Sequence, residues 1–161
     1  MRPIVPNLWF DTEAEQAAEF YVSVFPDSRI VSRALYPEGA PGPAGTVMTV
    51  DFELDGQRFV GINGGPQFPF TEAVSFQITC ETQEEVDRFW DALTEGGEES
   101  MCGWLKDRYG LSWQVVPVGM EEVFADPDPS RAQRAMQAMM GMRKLDLAAL
   151  RAAADGTVPV G

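Results

Sequence analysis

The sequence predicts an α+β fold built from two β-α-β-β-β repeats, followed by C-terminal helices. Three observations carry this. The order strand, helix, strand, strand, strand is legible twice along the chain. Capping-box pairs recur with one spacing at positions 12–15 and 82–85, as Thr12 with Glu15 and Thr82 with Glu85. The hairpin glycines Gly56 and Gly110 occupy matching places in the two halves. A supersecondary string that appears twice points to an internal duplication.

Ile4 to Phe10 reads as a strand, and Asp11-Thr12 open a helix in which Thr12 and Glu15 would satisfy each other's free N–H. Ala14, Ala17, Ala18, Tyr21 and Val24 recur at helical spacing, and Phe25-Pro26-Asp27-Ser28 ends the element. Arg29 to Tyr36 is a second strand, and Pro37 to Gly45 a Pro/Gly-rich loop. Met48, Val50, Phe52 and Leu54 alternate with Thr49, Asp51 and Glu53, the pattern of a half-buried strand. Asp55-Gly56 tolerates the positive φ of a tight hairpin, from which Gln57 to Asn63 return.

The order then begins again. Ala73 to Cys80 is a strand with Val74, Phe76 and Ile78 on one face. Thr82 and Glu85 start a helix whose stripe of Val86, Phe89, Trp90 and Leu93 stops at Gly96-Gly97. Short strands run through Glu99 to Cys102 and Trp104 to Lys106. Tyr109-Gly110 turns into Leu111 to Val116, where Leu111, Trp113 and Val115 alternate with Ser112 and Gln114.

The remainder differs in kind. Asp128 caps a helix with Pro129 at its first position, and Met136, Met139, Met140 and Arg143 follow at helical spacing as a packing face, against the chain's own sheet or a second subunit. Asp146 caps a short last helix through Ala154, ahead of Gly156. The expected organisation is one domain over residues 1–124, with repeats at 3–64 and 72–118, and a helical tail over 125–161.

The 161 residues are 45% hydrophobic, enough for one ordinary core. Twelve basic residues face 25 acidic ones, a formal net charge of −13. Counterion release at phosphates needs clustered Lys and Arg, so no nucleic-acid partner is expected. An anionic membrane surface would repel the chain, and the acidity reads as solubility. No segment approaches the roughly 20 apolar residues that span a bilayer. Met1-Arg2-Pro3-Ile4-Val5 carries no signal-peptide core, so a cytoplasmic location is expected. Cys80 and Cys102 are too few for a disulfide framework and fit no zinc spacing. The chain has no histidine, which removes the commonest general base and the commonest metal ligand together.

Several strings narrow the reading. Asn7-Leu8-Trp9-Phe10-Asp11, then Ala17-Ala18-Glu19-Phe20-Tyr21 and Phe25-Pro26-Asp27-Ser28, open the chain. Cys102-Gly103-Trp104-Leu105-Lys106-Asp107 and Gly110-Leu111-Ser112-Trp113-Gln114-Val115-Val116-Pro117 close the second repeat. Asp126-Pro127-Asp128-Pro129 and Ala132-Gln133-Arg134-Ala135-Met136-Gln137-Ala138-Met139 follow. Together they resemble the PhnB-like (demethylubiquinone methyltransferase-like) branch of the vicinal oxygen chelate, or glyoxalase/bleomycin-resistance/dioxygenase, superfamily. The resemblance covers nearly the whole chain. It implies a curved, cup-shaped mixed sheet with helices on the convex side, and a homodimer. Methyl transfer is not expected. A site for S-adenosylmethionine usually needs a glycine-rich turn between the first strand and a helix, whereas Asp11-Thr12-Glu13 follow the first strand and Asn63-Gly64-Gly65-Pro66 precedes no helix.

In that superfamily four strand positions aim His, Gln or Glu at a divalent ion, which polarises two substrate oxygens. The resemblance puts these positions at Ala73, at Gln114, near Ile4 or Val5, and near Val60 or Gly61. Three of the four lack a donor side chain, and one amide oxygen does not hold a transition metal. No catalytic metal and no cofactor are expected.

Strand parity gives the rest of the concave face. With Val74, Phe76 and Ile78 packed on the helices, Ala73, Ser75 and Gln77 face the cup. Aligning the halves adds Asn7 and Trp9, and the alternation of the last strand adds Ser112 and Gln114. Cys102-Gly103-Trp104 is a further candidate, although a Cys102 thiolate would need a base or a cation, and only Lys106 and Arg108 are near in sequence. Asp51, Glu53 and Glu72 are the carboxylates that could act as bases, with Asp51 and Glu53 reading as solvated.

The expected ligand-binding set is therefore Asn7, Trp9, Ser75, Gln77, Cys102, Trp104, Ser112 and Gln114, with no catalytic residue assigned. Amides and hydroxyls beside an aromatic wall suit a neutral or mildly polar organic ligand. The leading expectation is a metal-independent small-molecule-binding protein, one that sequesters or senses an apolar or aromatic compound as bleomycin-resistance relatives do. The alternatives are a lyase, isomerase or dioxygenase acting on a small organic substrate, or an interaction module with a filled cup.

Overall fold

The two repeats fold with one topology in the computed structural model, which describes residues 4–157. The first unit, Met1–Phe70, contains β1 (Asn7–Phe10), α1 (Ala14–Val24), β2 (Arg29–Leu35), β3 (Val47–Leu54) and β4 (Gln57–Asn63), with sheet order β1-β4-β3-β2. The second, Thr71–Gly161, contains β5 (Phe76–Cys80), α2 (Gln83–Thr94), β6 (Glu98–Glu99), β7 (Trp104–Lys106) and β8 (Ser112–Pro117), with order β5-β8-β7-β6. In each sheet the opening strand runs parallel to the closing strand, and the other pairs are antiparallel. The fold is α+β, and the shared topology is what a duplication requires.

Each helix covers one face of its own sheet. In the first unit Ala14, Ala17, Ala18 and Tyr21 of α1 are buried with Leu8, Phe10, Val50, Phe52, Leu54 and Phe59. Tyr21 stacks on Phe52 at 6.2 Å and Phe52 on Phe59 at 5.5 Å between ring centroids. The alanines let the helix approach so closely that a Cβ at Gly61 would sit 3.2 Å from the Ala14 Cβ. In the second unit Val86, Phe89, Trp90 and Leu93 of α2 bury with Leu105, Leu111, Trp113 and Val115.

Several boundaries depart from the sequence reading. The first capping box does not form. Glu13 is the N-cap, and its carboxylate takes the Thr12 N–H at 3.1 Å without capping the helix; the Ala14 N–H donates to Asn63 Oδ1 at 2.8 Å, and Glu15 turns to Arg33. The second forms in part: Thr82 Oγ1 accepts from the Glu85 N–H at 3.2 Å, while the Glu85 carboxylate takes the Glu81 N–H at 2.7 Å. Sheet pairing begins at Asn7 and Phe76, not at Ile4 and Ala73, so Val74 is exposed and not packed on a helix. The sixth strand is Glu98–Glu99, because Cys102 and Gly103, at φ 59° and 82°, make a left-handed turn instead of extending it.

The C-terminal region folds as α3 (Met120–Phe124), which the sequence reading missed, α4 (Pro129–Met140) and α5 (Leu147–Asp155). Asp128 and Asp146 cap α4 and α5 as expected, accepting the N–H groups of Ser130 and Ala149 at 2.9 Å. Val123, Ala135 and Ala154 form a small buried cluster with Phe124 and Leu147 against it. Met136 and Met140 are exposed while Met139 is half-buried, and Ala135 is the residue by which α4 is buried within this chain. The segment between α4 and α5 docks on the sheet. The Cys102 and Gly103 N–H groups donate to the Met142 and Arg143 carbonyls at 2.8 and 2.7 Å, and Leu145 is fully buried. Among the described residues no helix is long and apolar enough to cross a membrane.

Candidate functional site

The face of the second sheet opposite α2 gathers five of the expected residues. Register places Gln77 beside Gln114 and Gln114 beside Trp104, and sets Ser112 beside Lys106 in the adjacent row. Side chains of paired residues project to the same side. The alternate partners Phe76, Trp113 and Leu105 therefore face α2, which leaves the amides, the indole and the hydroxyl together on the other face. Ser75, just ahead of β5, joins them: Gln114 Nε2 donates to its Oγ at 2.9 Å.

Burial separates the members of this group. Gln77 is exposed, Gln114 and Trp104 are half-buried, and Ser112 is 1% exposed. The Ser112 Oγ has no hydrogen-bond partner, and among the described residues no other buried side-chain nitrogen or oxygen is in that state. An unsatisfied buried hydroxyl costs about 1–3 kcal/mol, so such a group calls for an explanation. It lines a recess with Trp104, Lys106, Glu72 and Glu98, where Lys106 Nζ lies 2.5 Å from Glu72 Oε1. That hydrogen bond raises the Lys106 pKa and lowers that of Glu72 from their ordinary values. The turn between β7 and β8 is fixed by Asp107, buried at 3% exposure, which accepts from the Tyr109 and Leu111 N–H groups at 2.8 and 3.1 Å and from Trp113 Nε1 at 2.9 Å.

Cys102 lies elsewhere. Its Sγ–H donates to the Met139 carbonyl at 3.5 Å, and its turn is the docking point for the segment after α4. A Cβ at Gly103 would meet Leu145 Cδ1 at 2.7 Å and the Val115 carbonyl at 2.8 Å. These contacts describe a structural joint.

Asn7 and Trp9 belong to the first unit, on the face opposite α1. Asn7 is in register with Val60, and Trp9 with Ile62. Asn7 is exposed and donates to the Val5 carbonyl at 3.0 Å. Trp9 Nε1 donates to the Gly65 carbonyl at 2.8 Å, and its ring meets Phe68 edge-on at 5.1 Å. A Cβ at Gly64 would fall 2.1 Å from that ring, so Trp9 clamps the loop after β4 and its N–H is already in use.

The positions that hold a metal in the superfamily do not fit one here. Val60 shares a face with Asn7, whereas Gly61 faces α1, so the first half presents an isopropyl group at this position. Ala73 offers only a methyl. Among the described residues no cluster of three or more His, Cys, Asp or Glu could hold an ion.

A cavity also escaped the sequence reading. It holds about 580 Å³ in the first unit and is lined by Asp11, Glu15, Tyr36, Thr46, Asn63 and Gln67, among others. Its walls come from the helix start, the loop after β2 and the end of β4, segments that no local pattern connects.

Comparison with known proteins agrees with this architecture. The family model that matches, over residues 2–116, is described as 3-demethylubiquinone-9 3-methyltransferase. A PhnB protein from Bacillus cereus, described as a putative 3-demethylubiquinone-9 3-methyltransferase, is 40% identical, with a TM-score of 0.67 over 73% of this chain and 100% of its own. Protein PA1353 from Pseudomonas aeruginosa shares the fold at 21% identity and TM-score 0.61, over 73% of this chain and 98% of its own. The fosfomycin resistance protein FosX from Listeria monocytogenes, complexed with Mn(II) and sulfate, shares it at 12% identity and TM-score 0.53, over 76% and 94%. Among curated proteins none matches the chain. The family match ends at residue 116, ahead of α3 to α5. With two β-α-β-β-β units and a family match over most of its length, the chain belongs to the PhnB-like family of the vicinal oxygen chelate superfamily.

Proposed function

We propose that this protein binds a small organic molecule without a metal ion, on the face of the second unit's sheet opposite α2, around Ser112 and Gln114. The buried, unpartnered Ser112 hydroxyl carries the reading, because a ligand polar group would complete it. Gln114, whose Nε2 is held by Ser75, lies on the same face, and Trp104 gives an apolar wall beside it. This mixture of one aromatic surface and a few fixed polar groups is the usual make-up of a ligand site. The protein acts as a homodimer in the cytoplasm, and the exposed Met136 and Met140 are available to a second copy.

Methyl transfer is not part of this reading, despite the family description. Asp11 to Glu13 separate β1 from α1 without a glycine, and Gly64-Gly65 leads into a segment held by Trp9 and not into a helix. The residues do not fit S-adenosylmethionine.

The test is a titration of 15N-labelled protein with a library of small aromatic amides and ketones. Shifts should centre on the Trp104 indole and the Gln114 side-chain amide. Ser112→Ala and Gln114→Ala should each weaken a hit by up to about tenfold, the worth of one hydrogen bond. Equal affinity in the parent and both variants would remove the site.

A further inference from the structure

We infer that the recess at Ser112 and Lys106 takes the carboxylate of a small organic acid, and that Glu72 holds that place while the ligand is absent. This rests on the binding reading above and names the head group it would recognise. Two donors converge there from neighbouring strands, since Lys106 and Ser112 are a cross-strand pair on one face. Among the described residues the Lys106 ammonium is the one cation lining the recess, and the Ser112 O–H beside it is unmet. The chain already shows a carboxylate seated at half of this pair. Glu72 reaches Lys106 Nζ at 2.5 Å but leaves the Ser112 hydroxyl without a partner.

Glu72 is suited to leave. Its side chain is 60% exposed, and it sits in the turn ahead of β5, outside the sheet. An incoming carboxylate could put one oxygen on Lys106 and the other on Ser112, meeting both donors where Glu72 meets one. The exchange leaves the charge of the recess unchanged, because one carboxylate replaces another. Glu98 is in register with Lys106, and Glu99 is engaged by Trp90 Nε1 and Arg143 at 3.1 and 3.3 Å. Beyond the head group, Trp104 offers its indole to an apolar or aromatic body.

The probes are benzoate and its neutral isostere benzamide, titrated at low ionic strength into the parent, Glu72→Gln, Lys106→Gln and Ser112→Ala, with thermal melts to show that each variant is folded. Benzoate should shift the Trp104 and Gln114 signals. Its affinity should rise about two- to fivefold in Glu72→Gln, the worth of releasing an exposed ion pair, and fall in Lys106→Gln and Ser112→Ala. Benzamide binding as well as benzoate, with no effect of Glu72→Gln or Lys106→Gln, would overturn the carboxylate assignment while leaving the binding face intact. No shift from either probe, even in Glu72→Gln where the competing carboxylate is gone, would sink both.

Discussion

Ser112 sets stability against binding at a single atom. Replacing it with Ala removes a buried hydroxyl that nothing satisfies, so urea unfolding should show a gain of about 1 kcal/mol even as ligand affinity falls. A loss of stability would mean that the hydroxyl is already satisfied within the fold. Cys80 makes the opposite case, a thiol that burial keeps protonated. It is fully buried at the end of β5, and burial pushes its thiol up to about 11. It should therefore resist iodoacetamide at pH 8 until the protein is unfolded; rapid labelling of native Cys80 would contradict its placement. At this scale the alternation of β8 made Ser112 and Gln114 legible in the sequence, because a strand's side chains change sides at every step. The pairing of Lys106 with Glu72, and the isolation of the Ser112 hydroxyl, depend on neighbours that no spacing encodes. Cys102 and Trp9 were legible as chemistry-bearing residues, yet both are engaged in holding loops.

The elements show which local signals survive packing. Both helices of the repeats, the Asp55-Gly56 hairpin and the Asp128 and Asp146 caps stand where periodicity and turn chemistry put them. Thr12 with Glu15 is as good a capping signature as Thr82 with Glu85, yet Asn63 at the end of β4 supplies the acceptor instead. That residue is braced by its own bond to the Val47 carbonyl at 3.0 Å and by the Tyr36 hydroxyl, so the tertiary acceptor is already in position. The docking of the α4–α5 segment was not legible either, since it depends on two backbone N–H groups in a left-handed turn. Gly103→Ala should break this joint, because the new Cβ would overlap Leu145 and the Val115 carbonyl at a φ of 82°. We expect a destabilisation of about 2 kcal/mol, with faster hydrogen exchange at the Cys102 and Gly103 amides. Unchanged exchange there would show that the joint does not depend on close approach.

Across the whole molecule, the charge pattern predicts how the fold responds to acid. Glu72, Asp87, Glu99 and Asp126 are each held below the ordinary carboxylate range, chiefly by Lys106, Lys144, Trp90 and Arg131 in turn. All four lie in the second unit. A carboxylate with a depressed folded pKa stabilises the fold above its unfolded value, and that contribution disappears as pH falls through the folded value. Stability should therefore drop from about pH 4 downward, with small steps because the groups are exposed, and urea midpoints against pH would show it. Midpoints that rise with acid over that range would contradict the pairing. The duplication was the most legible property of the molecule, because it is written twice in strand and helix periods. Its chemical use was less so, since three of the superfamily's four metal positions carry no donor.

The most direct test of metal-independent binding is ligand titration of chelator-treated, tag-free protein, with metal content measured by mass spectrometry before and after. A ligand found by screening should bind the stripped protein with undiminished affinity and shift the Trp104 and Gln114 signals. Binding that vanishes on stripping and returns with Mn²⁺ or Zn²⁺ would contradict metal-independent binding.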